Sequence, residues 1–324
     1  MRIGLIDVDG HNFPNLALMR ISAYHKSIGD EVEWYRNNFI EVDNIYDRVY
    51  MSKIFSDTYS PPVPIPKNAK EVIKGGTGFH IKLGSDGKEY FDAENHKDLP
   101  PEIEKMFPDY SIYPQFDFAV SMTSRGCPRG CSFCHVAAKE GRCSVKVADV
   151  SDFWNGQKRI EVLDPNITAC KDKRDLFAQY RETNASIVFN QGLDIRCIND
   201  YDIDDINHMR IKDIHFAWDN PKDNLEEKFR EFARGFKRKS YIAMVYCLTN
   251  YNSTMEENLY RIYTLRDMGY DPYVMVYNKP NAPKEIRQLQ RWVNNKFIFK
   301  TCKRFEDYQT TNRVKPQIKN KKLF

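Results

Sequence analysis

Residues 118 to 135 read Phe118-Ala-Val-Ser-Met122-Thr123-Ser-Arg-Gly126-Cys127-Pro128-Arg-Gly130-Cys131-Ser-Phe133-Cys134-His135, an apolar run of strand length that leads straight into a loop carrying three cysteines. Gly126, Pro128 and Gly130 force tight turns between them, so the C-x3-C-x2-C spacing aims three thiolates at one point. Three thiolates suit an iron–sulfur cubane with one iron left open, whereas a structural zinc site wants four closed ligands. His135, adjacent to Cys134, is poorly placed to close such a zinc site. A rival reading is the match of Cys131-Ser-Phe-Cys134-His135 to the C-x-x-C-H attachment sequence of c-type haem. That rival needs an exported chain, and Met1 to Asp9 reads as a strand without the basic, apolar and small-residue regions of a signal peptide. The expected location is the cytoplasm.

Downstream of this loop, short apolar runs alternate with helical patterns. The strand candidates are 118–122, 160–163, 186–189, 213–218, 241–248 and 272–277; the helix candidates between them are 172–183, 200–208, 224–236 and 253–268. Alternation of this kind predicts parallel strands with crossover helices, and six such β/α units make a partial barrel. Ligands in parallel α/β folds sit at the carboxyl ends of the strands, and the cysteine loop directly follows the first of these six.

The 324 residues suffice for about two domains. With 41% apolar and 29% charged residues the composition is globular, and no stretch approaches the roughly 18 apolar residues of a transmembrane helix. Of the net charge of +4, residues 303–324 carry an excess of basic groups, including Arg313, Lys315, Lys319, Lys321 and Lys322, so the preceding body is close to neutral. Contact of this tail with nucleic-acid phosphates is permitted by that charge, against the reading of a solvated terminus. The remaining cysteines, 143, 170, 197, 247 and 302, are scattered and read as small buried hydrophobes rather than a disulfide framework.

The N-terminal third opens with a strand at Arg2 to Asp9, the loop Gly10-His11-Asn12-Phe13-Pro14, a helix from Leu16 to Ile28 and a second strand at Glu31 to Tyr35, the opening of a doubly wound domain. Gly75-Gly-Thr-Gly78 reads as a turn or as a loop open to a phosphate. Gly84-Ser-Asp-Gly87 is a hairpin signal, and residues 85–115 read as an ordered linker. The expected organisation is a domain over 1–84, a linker over 85–115, the barrel over 116–308 and a basic tail over 309–324.

The loop meets the C-x3-C-x-aromatic-C hallmark through Cys127, Cys131, Phe133 and Cys134, and in this it resembles the radical SAM superfamily. That resemblance implies a [4Fe–4S] cluster held by Cys127, Cys131 and Cys134, with S-adenosylmethionine (AdoMet) on the open iron and Phe133 beside the adenine. It also implies reductive cleavage of AdoMet to a 5′-deoxyadenosyl radical that takes hydrogen from a substrate, and reduced flavodoxin or ferredoxin as electron donor. Where many members carry Gly-Gly-Glu to accept the AdoMet amino group, this chain has Asp164-Pro165-Asn166, so Asp164 and Asn166 are the substitute acceptors, against an ordinary turn. Gln191, Asp194 and Arg196 close the third strand: Arg196 offers a fork for a carboxylate of AdoMet or substrate, and Asp194 could hold it. Asp219, after the fourth strand, is expected either to accept the ribose hydroxyls or to cap a helix.

The series Asp9-x-His11-x-x-Pro14, Ser52-x-Ile54, Gly75-Gly76 is similar to that of cobalamin-binding domains, with the Gly position changed to Pro14, the Leu to Ile54, and 57–70 in place of a helix. This degenerate series implies the fold more than the cofactor: His11 is either a cobalamin ligand or part of a strand-to-helix turn. The substrate expected for the neutral body is a small molecule or peptide. The alternatives are a nucleic-acid-modifying radical SAM enzyme recruited by the tail, or a non-catalytic iron–sulfur or electron-transfer protein using the same thiolates.

Overall fold

A computed structural model describes residues 1–36, 45–238 and 243–308. The chain divides into two compact units, Met1–His215 with Arg234–Arg238, and Phe216–Ala233 with Lys239–Phe324. The basic tail 309–324 and the start of the strand expected at 241 lie outside the described residues.

The first unit begins with β1 (Arg2–Asp7), α1 (Leu16–Ser27), β2 (Glu31–Trp34), β3 (Tyr46–Ser52) and β4 (Ala69–Gly75). Their sheet runs β2-β1-β3-β4 with every pair parallel, and Leu5 stands opposite both Trp34 and Tyr50. Asn15 starts α1 by accepting the Leu18 N–H at 3.3 Å, which satisfies one of the orphan donors of the first turn. The helix then lays Leu18 and Ile21 on Ile3, Leu5 and Tyr50 of the sheet and on Ile103. Among the described residues no helix lies between β3 and β4, as the proline-rich sequence there implies. The hairpin signal at Gly84 to Gly87 is realised by β5 (Ile81–Leu83) and β6 (Glu89–Phe91), which pair antiparallel.

A short α2 (Pro101–Glu104) leads to β7 (Ala119–Ser121), β8 (Ser124–Arg125), α3 (Val136–Glu140), β9 (Val145–Lys146), β10 (Arg159–Val162), α4 (Lys173–Glu182), β11 (Ser186–Leu193), α5 (Asp200–His208) and β12 (Arg210–Ala217). Next come α6 (Glu226–Gly235), β13 (Ala243–Thr249), α7 (Met255–Asp267), β14 (Asp271–Val276), α8 (Lys284–Asn294) and α9 (Lys296–Thr301). The larger sheet has six strands in the order β14-β13-β12-β11-β10-β7, and the pairs β7–β10, β10–β11 and β13–β14 are parallel. The protein is therefore mixed α/β. No helix of the described residues is long and apolar enough to cross a membrane.

Local signals account for the helices. Asn199 and Asp202 form a reciprocal cap at α5, and Thr254 and Glu257 form another at α7. In the second unit Leu289, Trp292 and Val293 lie at i, i+3 and i+4 of α8 and pack with Ile262, Val274 and Phe299. Two expectations need correction. β11 does not stop at Phe189 but runs to Leu193, so Asn190 and Gln191 belong to the strand. Asp219 caps no helix, because α6 starts at Glu226.

Candidate functional site

The cysteine loop is an excursion closed at its base. β8 and β9 pair antiparallel, Ser124 opposite Lys146 and Arg125 opposite Val145, and the Val147 N–H donates to the Thr123 carbonyl at 2.8 Å. Between these ends the chain carries the three cysteines and α3. Gly126, at φ +87°, is required here, because a Cβ would collide with the carbonyl oxygen of Cys143 on the returning arm. A turn from the Cys134 N–H to the Cys131 carbonyl, 2.9 Å, shapes the second half of the motif.

Asp164, at the end of β10, fixes where the excursion begins. It is 3% exposed and accepts from the Thr123 N–H and hydroxyl, each at 2.8 Å, and from the Ser124 N–H and hydroxyl at 2.5 and 2.7 Å. Burial pushes its carboxyl up to about 6, against the opposing pull of these four donors. Its oxygens are thus engaged in holding the strand-to-loop junction three residues ahead of Cys127.

Asn166, Asp194 and Arg196 come together beside the loop, with Arg129 from the loop itself. Asp194 accepts from Arg129 Nε at 2.5 Å and from Arg196 Nε at 2.7 Å. The burial of Asp194 works to raise its pKa, but the Arg196 and Arg129 guanidiniums outweigh it and hold the carboxyl below its ordinary range. The expected Asp194–Arg196 pair is present, and the Arg196 side chain is partly exposed. Asn166 Nδ2 lies 3.4 Å from Cys127 Sγ and 3.4 Å from Asp194 Oδ2. Cys197 extends the cluster, receiving Arg129 Nη2 at 3.4 Å, and burial together with the Asp194 charge pushes its thiol up.

Phe133 is half-buried within the motif, and Gln191 is exposed on β11. Asp219 belongs to the second unit, where its Oδ1 accepts the Leu248 N–H at 3.1 Å. The His11 ring packs edge-on against Trp34, with centroids 4.2 Å apart, while Asp9 accepts the Ile54 N–H at 2.5 Å and the Ser60 hydroxyl. Gly76 and Gly78 serve close packing: a Cβ on Gly76 would strike the Lys53 carbonyl and one on Gly78 the Phe55 carbonyl.

Arg129 and Cys197 were not legible as parts of the site. Arg129 sits within the motif, but its partner Asp194 is 65 residues away, and nothing in local spacing joins them.

The eight cysteines are free of disulfides, so the thiols of Cys127, Cys131 and Cys134 remain as donors. Among the described residues no group of three or more His, Cys, Asp or Glu side chains is gathered closely enough to hold a metal ion. The fit to an iron–sulfur cluster therefore rests on the donor set, three cysteines outside any disulfide on one pinned loop, with an amide N–H directed at one of the sulfurs.

No protein-family model matches the chain, and no curated protein is detectably similar to it.

Proposed function

We propose that the chain is a radical SAM enzyme, its barrel built on the six-stranded sheet and its cluster ligands Cys127, Cys131 and Cys134. The observation that carries this reading is the C-x3-C-x2-C trio on a loop that leaves the end of β7 and abuts the polar ends of β10 and β11. A [4Fe–4S] cluster and AdoMet bound there would supply one-electron cleavage of the sulfonium S–C5′ bond, with methionine and a 5′-deoxyadenosyl radical as products and substrate hydrogen abstraction to follow.

The chain's own residues supply position. Asp164 anchors the start of the loop through Thr123 and Ser124, and the Arg129–Asp194 pair ties its middle to the end of β11. Arg196, oriented by Asp194, is the partly exposed guanidinium that this reading sets against a carboxylate of AdoMet or substrate. With Asp164 saturated by its four donors, this reading gives it an anchoring task in place of the acceptor task expected from sequence. Electrons would come from a reduced flavodoxin or ferredoxin, and a small molecule or peptide is the proposed substrate class.

The test is anaerobic reconstitution with iron and sulfide, then dithionite and AdoMet, with 5′-deoxyadenosine measured by chromatography. The wild-type chain should form it and Cys134→Ala should not. A wild-type protein that takes up iron and sulfide yet leaves AdoMet intact would refute the enzyme reading in favour of a non-catalytic iron–sulfur protein.

A further inference from the structure

Asn166 is 3% exposed, and its side-chain orientation is fixed by chemistry rather than by assignment. Its Oδ1 accepts the backbone N–H of Ala169 at 3.2 Å, a group that can only donate, and the Thr168 hydroxyl at 3.0 Å. The opposite end of the amide must then be the NH2. One of its hydrogens is directed to Asp194 Oδ2 and the other to Cys127 Sγ, both at 3.4 Å. The residue's own carbonyl is held by the Ser144 hydroxyl at 2.8 Å, so backbone and side chain are both restrained.

A buried, pre-oriented N–H aimed at a sulfur meant for metal ligation does more than fill space. Hydrogen bonds to cluster sulfurs withdraw electron density from them and favour the reduced, more negative state, which raises the reduction potential. We infer that Asn166 is a positioning and tuning residue: its Nδ2–H donates to Cys127 Sγ and raises the reduction potential of the metal centre held by the cysteine loop. This rests on the reading of Cys127, Cys131 and Cys134 as cluster ligands. It gives Asn166 a partner on the protein in place of the AdoMet amino group.

Two substitutions remove the N–H while keeping an acceptor for Ala169. Asn166→Ser retains a capping hydroxyl too short to reach Cys127, and Asn166→Asp is isosteric but, when ionised, accepts only. Each full-length variant is reconstituted anaerobically with iron and sulfide. Iron content is then measured, and the midpoint potential is read by dye-mediated titration of the visible absorption and of the spin-resonance signal of the reduced state, without AdoMet. The expected result is wild-type iron content with a midpoint shifted to more negative values in both variants. An unchanged or more positive midpoint in a variant with full iron content overturns the inference. So does loss of the cluster from both variants with folding retained by circular dichroism, which would make Asn166 an assembly residue. If the wild-type chain itself takes up no iron and sulfide, the ligand reading fails first, and that outcome is separate from a failure of tuning.

Discussion

Replacing Asp164 by Asn tests the anchor of the cysteine loop through its pH dependence. The carboxyl is buried at 3% exposure, and its pKa rises from 3.8 to about 6. At about 1.4 kcal/mol per pH unit this corresponds to roughly 3 kcal/mol. The folded state holds the proton more tightly than the unfolded chain. Its stabilising contribution is therefore complete below pH 3.8 and is lost as pH rises through about 6.

Asp164→Asn cannot titrate. It also sets an NH2 against at least one of the donors of Thr123 and Ser124, so it carries a pH-independent penalty of about 1–3 kcal/mol for an unsatisfied buried donor. The diagnostic quantity is the change in the difference between the two proteins. Relative to the variant, the wild type should lose about 2.4 kcal/mol between pH 4 and pH 7, the rest of the roughly 3 kcal/mol falling below pH 4. Urea unfolding of the metal-free proteins at several pH values measures this, and carbon-13 NMR of labelled aspartate, with the variant spectrum as reference, locates the titration. A wild-type-minus-variant difference that is flat with pH, together with a resonance titrating near 3.8, would show that the carboxyl is solvated and refute the anchor.

Two further outcomes follow from packing. In the second unit the fully buried Arg261 donates to the carbonyls of Trp218 at 2.5 Å, Asp219 at 2.9 Å and Leu248 at 2.9 Å; Arg261→Met should orphan all three and cost at least about 2 kcal/mol, read as a fall in the urea midpoint. Gly78→Ala drives a Cβ into the Phe55 carbonyl and against the Lys53 side chain and should destabilise the first unit by about 2 kcal/mol or more, whereas Gly75→Ala, with open space at its Cβ, should cost under about 1 kcal/mol; equal thermal shifts for the two would contradict the close approach.

The extent to which the sequence disclosed this protein depended on whether each signal was local. Strands such as Val245 to Leu248 are apolar runs with Val245, Cys247 and Leu248 buried, and caps such as Thr254 with Glu257 mark helix starts within four residues. The cysteine spacing is local in the same sense. The end of β11 was not, because Asn190 and Gln191 look like a loop until β12 is known to lie beside the strand and supply its hydrogen bonds.

The site divides along the same line. Cys127, Cys131 and Cys134 can be named from eight consecutive residues, whereas the tasks of Asp164 and Asn166 are set by partners 41 and 39 positions away. The Asp-Pro-Asn sequence fits a turn or a ligand pair equally well on composition. Only the donors that reach each side chain separate the two residues. Asp164 has spent its oxygens on the loop base, and Asn166 has turned its one amide hydrogen not taken by Asp194 toward a thiol. At the end of β10, therefore, both side chains reach the cysteine loop, Asp164 at its base and Asn166 at Cys127.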